Sequence, residues 1–411
     1  MEPPTDRLSA ERVADLALDL LAVDTQNPPG DVRALADHVE SFLADLGLDT
    51  DRVAVDPAKP NVLATVPGEA DRTLLYNGHL DTVPFDAAEW THDPLGERDG
   101  DRVYGRGATD MKGPLAAMLH TAETFVAADA DPPVDLTFAF VSDEETGGSA
   151  GVRAILDQGA VDADACVVGE TTCSGGNHSV TVADRGSIWL TLRAEGEAAH
   201  GSRPMLGANA IDRLWAAVSA IRERLPARPL PGPEAMAPIV EESVAYYGPT
   251  MGADAARELF SSPTVNLGTI EGGESVNTVP AAATARLDVR LNAGVETPTV
   301  LADIRECLRE YPHVAIEDAS WSVGTYEPLD SPLVESVAST AEAVTEGRVY
   351  RRSATGGGDA KKFREAGVPT VEFALGTDTV HAVDEYTTLR ALVGNAEVYT
   401  RLPAVWATAT A

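Results

Sequence analysis

The sequence predicts an α/β protein of two domains, a mostly parallel-sheet α/β domain interrupted by an inserted ferredoxin-like α+β domain. Three observations carry this. Short apolar runs alternate with helical patterns at both ends of the chain, the pattern of strands joined by crossover helices. The middle reads strand, helix, strand, strand, helix, strand, the order of the split β-α-β motif. And 411 residues are enough for two cores.

In chain order, residues 8–24 and 31–46 show helical apolar spacing, and Gly47 stands where a helix C-cap belongs. Apolar runs follow at 62–66, 73–76, 136–141, 165–168 and 370–375, with helical patterns at 114–127 and 148–158. From Gly186 the pattern changes to a strand at 187–194, a helix at 208–224, a Pro-rich insertion at 226–238 and strands at 264–270 and 283–291. A helix at 298–309 and a strand at 314–319 complete the motif. The boundaries so read are 1–184 for the first part of the outer domain, 185–323 for the insertion and 324–411 for the return.

Charge narrows the partners. The chain carries 65 acidic and 31 basic residues, a formal net charge of -34 spread along its whole length. Nucleic acid and anionic membranes would be repelled. Lysine occurs only at Lys59, Lys112, Lys361 and Lys362. A carboxylate-rich surface poor in lysine points to a halophilic protein, since molar salt screens self-repulsion beyond about 3 Å. The acidic start of the chain has no apolar signal core and no stretch approaches a membrane span, so a soluble, cytoplasmic protein is expected. Cys166, Cys173 and Cys307 lack metal-like spacing and read as free, buried thiols.

The chemistry lies at the strand ends. The run at 73–76 leads to His79 and Asp81, 136–141 to Glu144 and Glu145, 165–168 to Glu170, and 370–375 to His381 after a short loop. Open α/β sheets bind ligands at these carboxyl ends. Asp110, in the glycine-rich "GRGATDMKGP", adds another carboxylate. So many acids in one cleft repel one another unless cations neutralise them, and two divalent metals would do so. Imidazole with carboxylate and no thiolate favours zinc, with cobalt or manganese as alternatives, over calcium or magnesium. One aspartate shared between two ions, each completed by a histidine and a carboxylate, would need two His, one Asp and two Glu, and His79, Asp110, Glu145, Glu170 and His381 are such a set. Asp81 and Glu144 remain, placed where an orienting group and a general base belong.

Together, "NGHLDTVP", "GRGATDMKGP", "SDEETGG", "VVGE", "AAHGSRPMLGANAI", "GGESVNTVPAAATARLDVR", "TGGGDAKKF" and "VHAVDEY" resemble the metallopeptidase M20 family. Within it they look most like the acetylornithine deacetylase and succinyl-diaminopimelate desuccinylase branch. That resemblance implies one metal held by His79, Asp110 and Glu170 and a second by Asp110, Glu145 and His381. It implies Asp81 bonded to the far nitrogen of His79, Glu144 as the base, and a cis peptide between Asp110 and Met111. It further implies a homodimer in which His200 stabilises the oxyanion in the partner's site. Asn277 and Arg290 would meet the substrate's carboxylate, and Gly357 would line the cleft. In one place the chain departs from the branch, with Ala374-Leu375-Gly376 where many members have Gly-Pro-Gly.

Plainer readings exist for each motif. Glu144-Glu145 alone would be a solvated turn, Asp110 a helix cap, and Arg290 a structural ion-pair residue. His38, His92, His120, His178 and His313 have no strand-end setting and read as surface or satisfied core histidines. The function expected is cleavage of the amide of a small N-acyl amino acid by a two-metal hydrolase. A dipeptidase or carboxypeptidase, or a catalytically silent binding homologue, are the alternatives.

Overall fold

Residues 70–79 pass from exposed to fully buried along ten residues, and this strand becomes the middle of the main sheet. The computed structural model describes residues 3–172, 176–227 and 232–410. Its elements begin with α1 (Ala10–Leu21), α2 (Arg33–Asp45), β1 (Thr50–Val53), β2 (Asn61–Val66), β3 (Ala70–His79), β4 (Glu97–Asp99) and β5 (Arg102–Tyr104). Then come α3 (Lys112–Ala128), β6 (Val134–Val141), α4 (Val152–Asp157), β7 (Ala165–Val168) and β8 (His178–Ala183). The middle of the chain forms β9 (Gly186–Glu195), α5 (Ala210–Arg224), α6 (Met236–Met251), α7 (Ala253–Ser261), β10 (Thr264–Gly272), β11 (Ala282–Leu291), α8 (Thr297–Leu308) and β12 (Val314–Ser322). The return forms α9 (Pro332–Thr345), β13 (Val349–Ser353), α10 (Asp359–Glu365), β14 (Thr370–Glu372), β15 (Tyr386–Thr388) and α11 (Leu389–Ala409). Two compact units result: Met1–Val182 with Glu327–Arg352 and Gly358–Ala411, and Ala183–Tyr326 with Ser353–Gly357.

The first unit is the expected α/β layer. Its eight-stranded sheet runs β1-β2-β6-β3-β7-β14-β8-β13. The four central strands, β6, β3, β7 and β14, are parallel to one another. Both faces of that centre are covered, which is why its strands read as continuous apolar runs rather than alternating ones. Leu75 packs with Ile155 of α4 and Phe363 of α10 on one face. Its neighbour Tyr76 points the other way and donates its hydroxyl to the Tyr399 carbonyl of α11 at 2.7 Å. Local signals set the helix ends: the Ser9 side chain accepts from Arg12 N at the start of α1. Gly47, at φ +82, closes α2 by donating to the Ala44 carbonyl. A second sheet of three short antiparallel strands, β15-β5-β4, stands apart from the first.

The second unit has the ferredoxin-like order. Its sheet is β10-β11-β9-β12, antiparallel throughout. Alternate residues of β9, Ile188, Leu190 and Leu192, are buried against Leu214 and Ile221 of α5 and Ile304 of α8. Where the sequence reads only a Pro-rich insertion, the structure has α6 and α7. Pro238 falls in the first turn of α6, where no helical N–H bond is lost, and Pro249 only two residues before its end. Two prolines that look like breakers therefore leave the helix intact.

Among the described residues no helix is long and apolar enough to cross a membrane. Cys166 is buried and Cys307 half-buried, both free thiols, while Cys173 lies outside the described residues. His120 is a satisfied core histidine, accepting from Ser9 N at Nε2 with Nδ1 2.9 Å from Glu123.

Candidate metal centre

The parallel centre of the main sheet brings the strand-end residues together. Strands β6, β3, β7 and β14 are neighbours with a common direction, so their carboxyl ends form one edge. Glu144 and Glu145 leave β6, His79 ends β3 with Asp81 two residues on, Glu170 follows β7, and His381 lies on the segment after β14. Asp110 comes from the loop between β5 and α3, and its peptide bond to Met111 is cis.

Asp110 sits between two histidines. His79 Nε2 is 3.1 Å from its Oδ1 and 3.3 Å from Glu170 Oε1. On the other side, His381 Nε2 is 3.1 Å from Asp110 Oδ2 and 3.3 Å from Glu145 Oε2. The ligand atoms of His79, Asp110 and Glu145 also lie within 4.8 Å of one another, as do those of His79, Glu144 and Glu170. His79 and Asp110 are buried, and His381 is half-exposed.

The donor chemistry fits a cation. His79 Nδ1 lies 2.8 Å from the Asp81 carbonyl oxygen, which can only accept, so Nδ1 carries the proton. A neutral ring then turns a lone pair from Nε2 toward two carboxylate oxygens. That meeting of lone pairs is stable only with a proton or a metal ion among them.

The orienting bond differs from the one the resemblance implies. It comes from the backbone of Asp81, whose carboxylate Oδ1 is 3.8 Å from Nδ1. The carboxylate instead holds the turn after β6, accepting from Glu144 N and Glu145 N at 3.2 Å each and from Asn27 Nδ2 at 2.8 Å. Asn27 also donates to Asp143, which Lys59 and Ala150 N bind as well. Asp143 needs such support, since it stands at φ +61.

Without metal the charges settle by sharing protons. Burial pushes the Glu144 carboxyl up to about 8, with His79 opposing and Asp359 and Asp110 adding. Burial and the Asp110 carboxylate push Glu170 up as well. Hydrogen bonds to Asp110 and Glu145 push His381 up to about 10. Burial disfavours the charged form of Asp110, but bonds from His381 and His79 hold its carboxyl below the usual range.

Two supports escape sequence reasoning. Asn27, in "TQNPPG", has no periodic or charge signal, and Glu385 looks like one more surface acid in an acidic chain. Glu385 is fully buried, paired with Arg106 at 2.6 Å.

The residues expected to meet substrate lie in the second unit. His200 accepts at Nδ1 from Ser202 N at 3.2 Å, so its proton is on Nε2. Asn277 neighbours it, its carbonyl accepting from Gly201 N at 2.6 Å. Gly357 is exposed in the segment Ser353–Gly357. Arg290 pairs through Nε with Asp288 at 2.8 Å. It also stands at the opposite end of β11 from Asn277. The β9–β11 pairing continues outward from Ala282 through Gly196 N to Ala281 O and Val279 N to Ala199 O. The eight steps from Ala282 to Arg290 alone span about 27 Å at strand rise.

Residues 75–404 match the model of peptidase family M20/M25/M40. The chain belongs to that family. A succinyl-diaminopimelate desuccinylase of Rhodospirillum centenum is 32% identical over 403 residues, 95% of this chain and 96% of that protein. One from Cereibacter sphaeroides is 30% identical over 380 residues, 89% and 92% of the two chains. Among solved structures, an M20 metallo-carboxypeptidase from Sulfolobus solfataricus superposes with a TM-score of 0.77 at 20% identity, covering 94% of this chain and 98% of its own. An aminopeptidase PepT from Bacillus cereus gives 0.74 at 20% identity, covering 97% and 99%. The fold is that of the M20 hydrolases, and the protein is a metal-dependent amidohydrolase.

Proton sharing has a measurable sign. In the metal-free protein Glu144 is pushed up to about 8 by burial, and Glu170 is raised too. Between about pH 5 and 7 the unfolded chain has released these protons and the folded one keeps them, so stability falls as pH rises. Lys112, pushed down to about 7 by burial, acts in the opposite sense, but begins to do so only near the top of that window. Denaturant midpoints of metal-free protein in constant high salt should therefore drop from about pH 5 to 7, and excess zinc should remove the drop. A midpoint that rises over this range without metal would contradict the charge balance described.

Proposed function

We propose that this M20 protein removes the acyl group from a small N-acyl amino acid, of the N-succinyl-diaminopimelate or N-acetylornithine kind. His79, Asp110 and Glu170 would hold one divalent ion, and Asp110, Glu145 and His381 the other. Zinc suits this nitrogen and oxygen set best, with cobalt or manganese as substitutes. The observation that carries the reading is the placement of Asp110, each of whose oxygens faces a different histidine and carboxylate pair. When bound, such ions polarise a scissile carbonyl and lower the pKa of water.

The chain's own groups do the rest. Glu144 takes the proton of the attacking water and hands it to the departing amine, a task suited to a carboxyl whose burial raises its proton affinity. Asp81 fixes the turn that aims Glu144. His200 offers Nε2–H to the oxyanion, and Asn277, Arg290 and Gly357 bound the substrate. The peptidases among similar structures favour a second reading, a dipeptidase or carboxypeptidase of the same family.

The test is release of free amine in high salt with zinc or cobalt. The panel holds N-succinyl-diaminopimelate, N-acetylornithine, several N-acetyl amino acids and dipeptides. Acyl substrates should be cleaved, and Glu144→Gln should retain fold and metals while losing about three orders of magnitude in turnover. Cleavage of dipeptides alone supports the second reading, and silence across the panel rejects both.

We infer also a homodimer, formed through the inserted unit (185–323), working in the cytoplasm of a halophile. Asn277 and Arg290 of one chain lie too far apart to grip one small carboxylate, so both serve a substrate only if two chains contribute. A dimer of a Glu144→Gln subunit and a His200→Ala subunit should recover one working site. If subunits exchange and no activity returns, His200 does not act in trans.

A further inference from the structure

Glu385 lies four residues beyond His381 and one before β15, and its side chain is fully buried. Its carboxylate faces four donors. Oε1 accepts from the backbone N–H groups of Gly107 at 3.1 Å, Thr109 at 3.0 Å and Asp110 at 3.1 Å. Oε2 accepts from Arg106 Nη1 at 2.6 Å. The same guanidinium reaches back through Nη2 to the His381 carbonyl at 3.3 Å and lies over the Trp90 ring. The backbone joins in: Gly105 N donates to the Glu385 carbonyl at 2.9 Å, extending the β5–β15 pairing of Tyr104 with Tyr386.

These bonds close two segments upon one another. One carries Asp110, and the other carries His381. Among the described residues no other acceptor pairs the N–H groups of Gly107, Thr109 and Asp110, and a buried guanidinium beside them would lose its counter-charge if that acceptor went.

We propose that Glu385 is a positioning residue that sets both halves of the metal centre at once, by fixing the Asp110 loop directly and the His381 segment through Arg106. The inference rests on the two-ion reading above. Asp110 is shared between the halves, so a shift of its loop disturbs both, whereas removing Glu145 disturbs one. Glu385 touches no ligand side chain and acts only through the backbone that presents them.

Binding of zinc and of cobalt to metal-free protein in high salt, followed by calorimetry and by the visible absorption of bound cobalt, separates the possibilities. Wild type should take up two ions, and Glu145→Ala should weaken one step only. Glu385→Ala should weaken both steps by about 10- to 100-fold and alter the cobalt absorption of both. Glu385→Gln keeps the volume and one acceptor oxygen but turns an amide toward Arg106, and should fall between. If the alanine variant does not fold, the glutamine variant decides. Folded Glu385 variants that bind both ions as wild type does, with only their unfolding temperature lowered, would overturn the positioning role. Wild type binding fewer than two ions would overturn the two-ion reading itself.

Discussion

Acids crowded on one edge of a parallel sheet set the terms for everything near them. Asp81, Asp110, Glu144, Glu145 and Glu170 come to the carboxyl ends of adjoining strands or to the loop beside them. In a buried setting that much like charge is unfavourable by several kcal/mol unless cations or protons intervene. Without metal, protons would have to serve, and the proton affinities of Glu144, Glu170, His79 and His381 are all raised. A pair of divalent ions would serve the same balance while leaving Glu144 able to exchange its proton.

The acids divide into those that face the histidines and those that face the backbone. Asp81 binds the amides of Glu144 and Glu145, and Glu385 binds those of Gly107, Thr109 and Asp110. Each accepts from several backbone amides at once and so holds a turn whose N–H groups would otherwise be left unpaired. That edge of the sheet is thus built twice, with an inner layer of candidate ligands and an outer layer of carboxylates, Asn27 and Arg106 that hold the turns presenting them.

Much of this is legible in the sequence. The parallel centre showed in the sequence because strands buried on both faces lose their alternation, and β7 matches its apolar run residue for residue. The order of the second unit showed because β9 and β11 alternate so regularly. What failed to show has physical reasons. Strands β4, β5 and β15 are three residues each, too short for any period. Helices α6 and α7 hide behind prolines that sit near helix ends. His79 and Asp81 are one residue apart in the motif, but spacing does not say whether the carboxylate or the carbonyl reaches the ring. Glu385 is fixed by a partner 279 positions away, a relation no local pattern carries.

In the function proposed above, Asp110 is shared by two cations. Crystals grown with zinc and measured at its absorption edge test it most directly, since anomalous scattering locates the metal without assumptions about the protein. Two peaks are expected flanking the Asp110 carboxylate, one beside His79 and Glu170 and the other beside His381 and Glu145. A single peak, or peaks that leave Asp110 out, would contradict it.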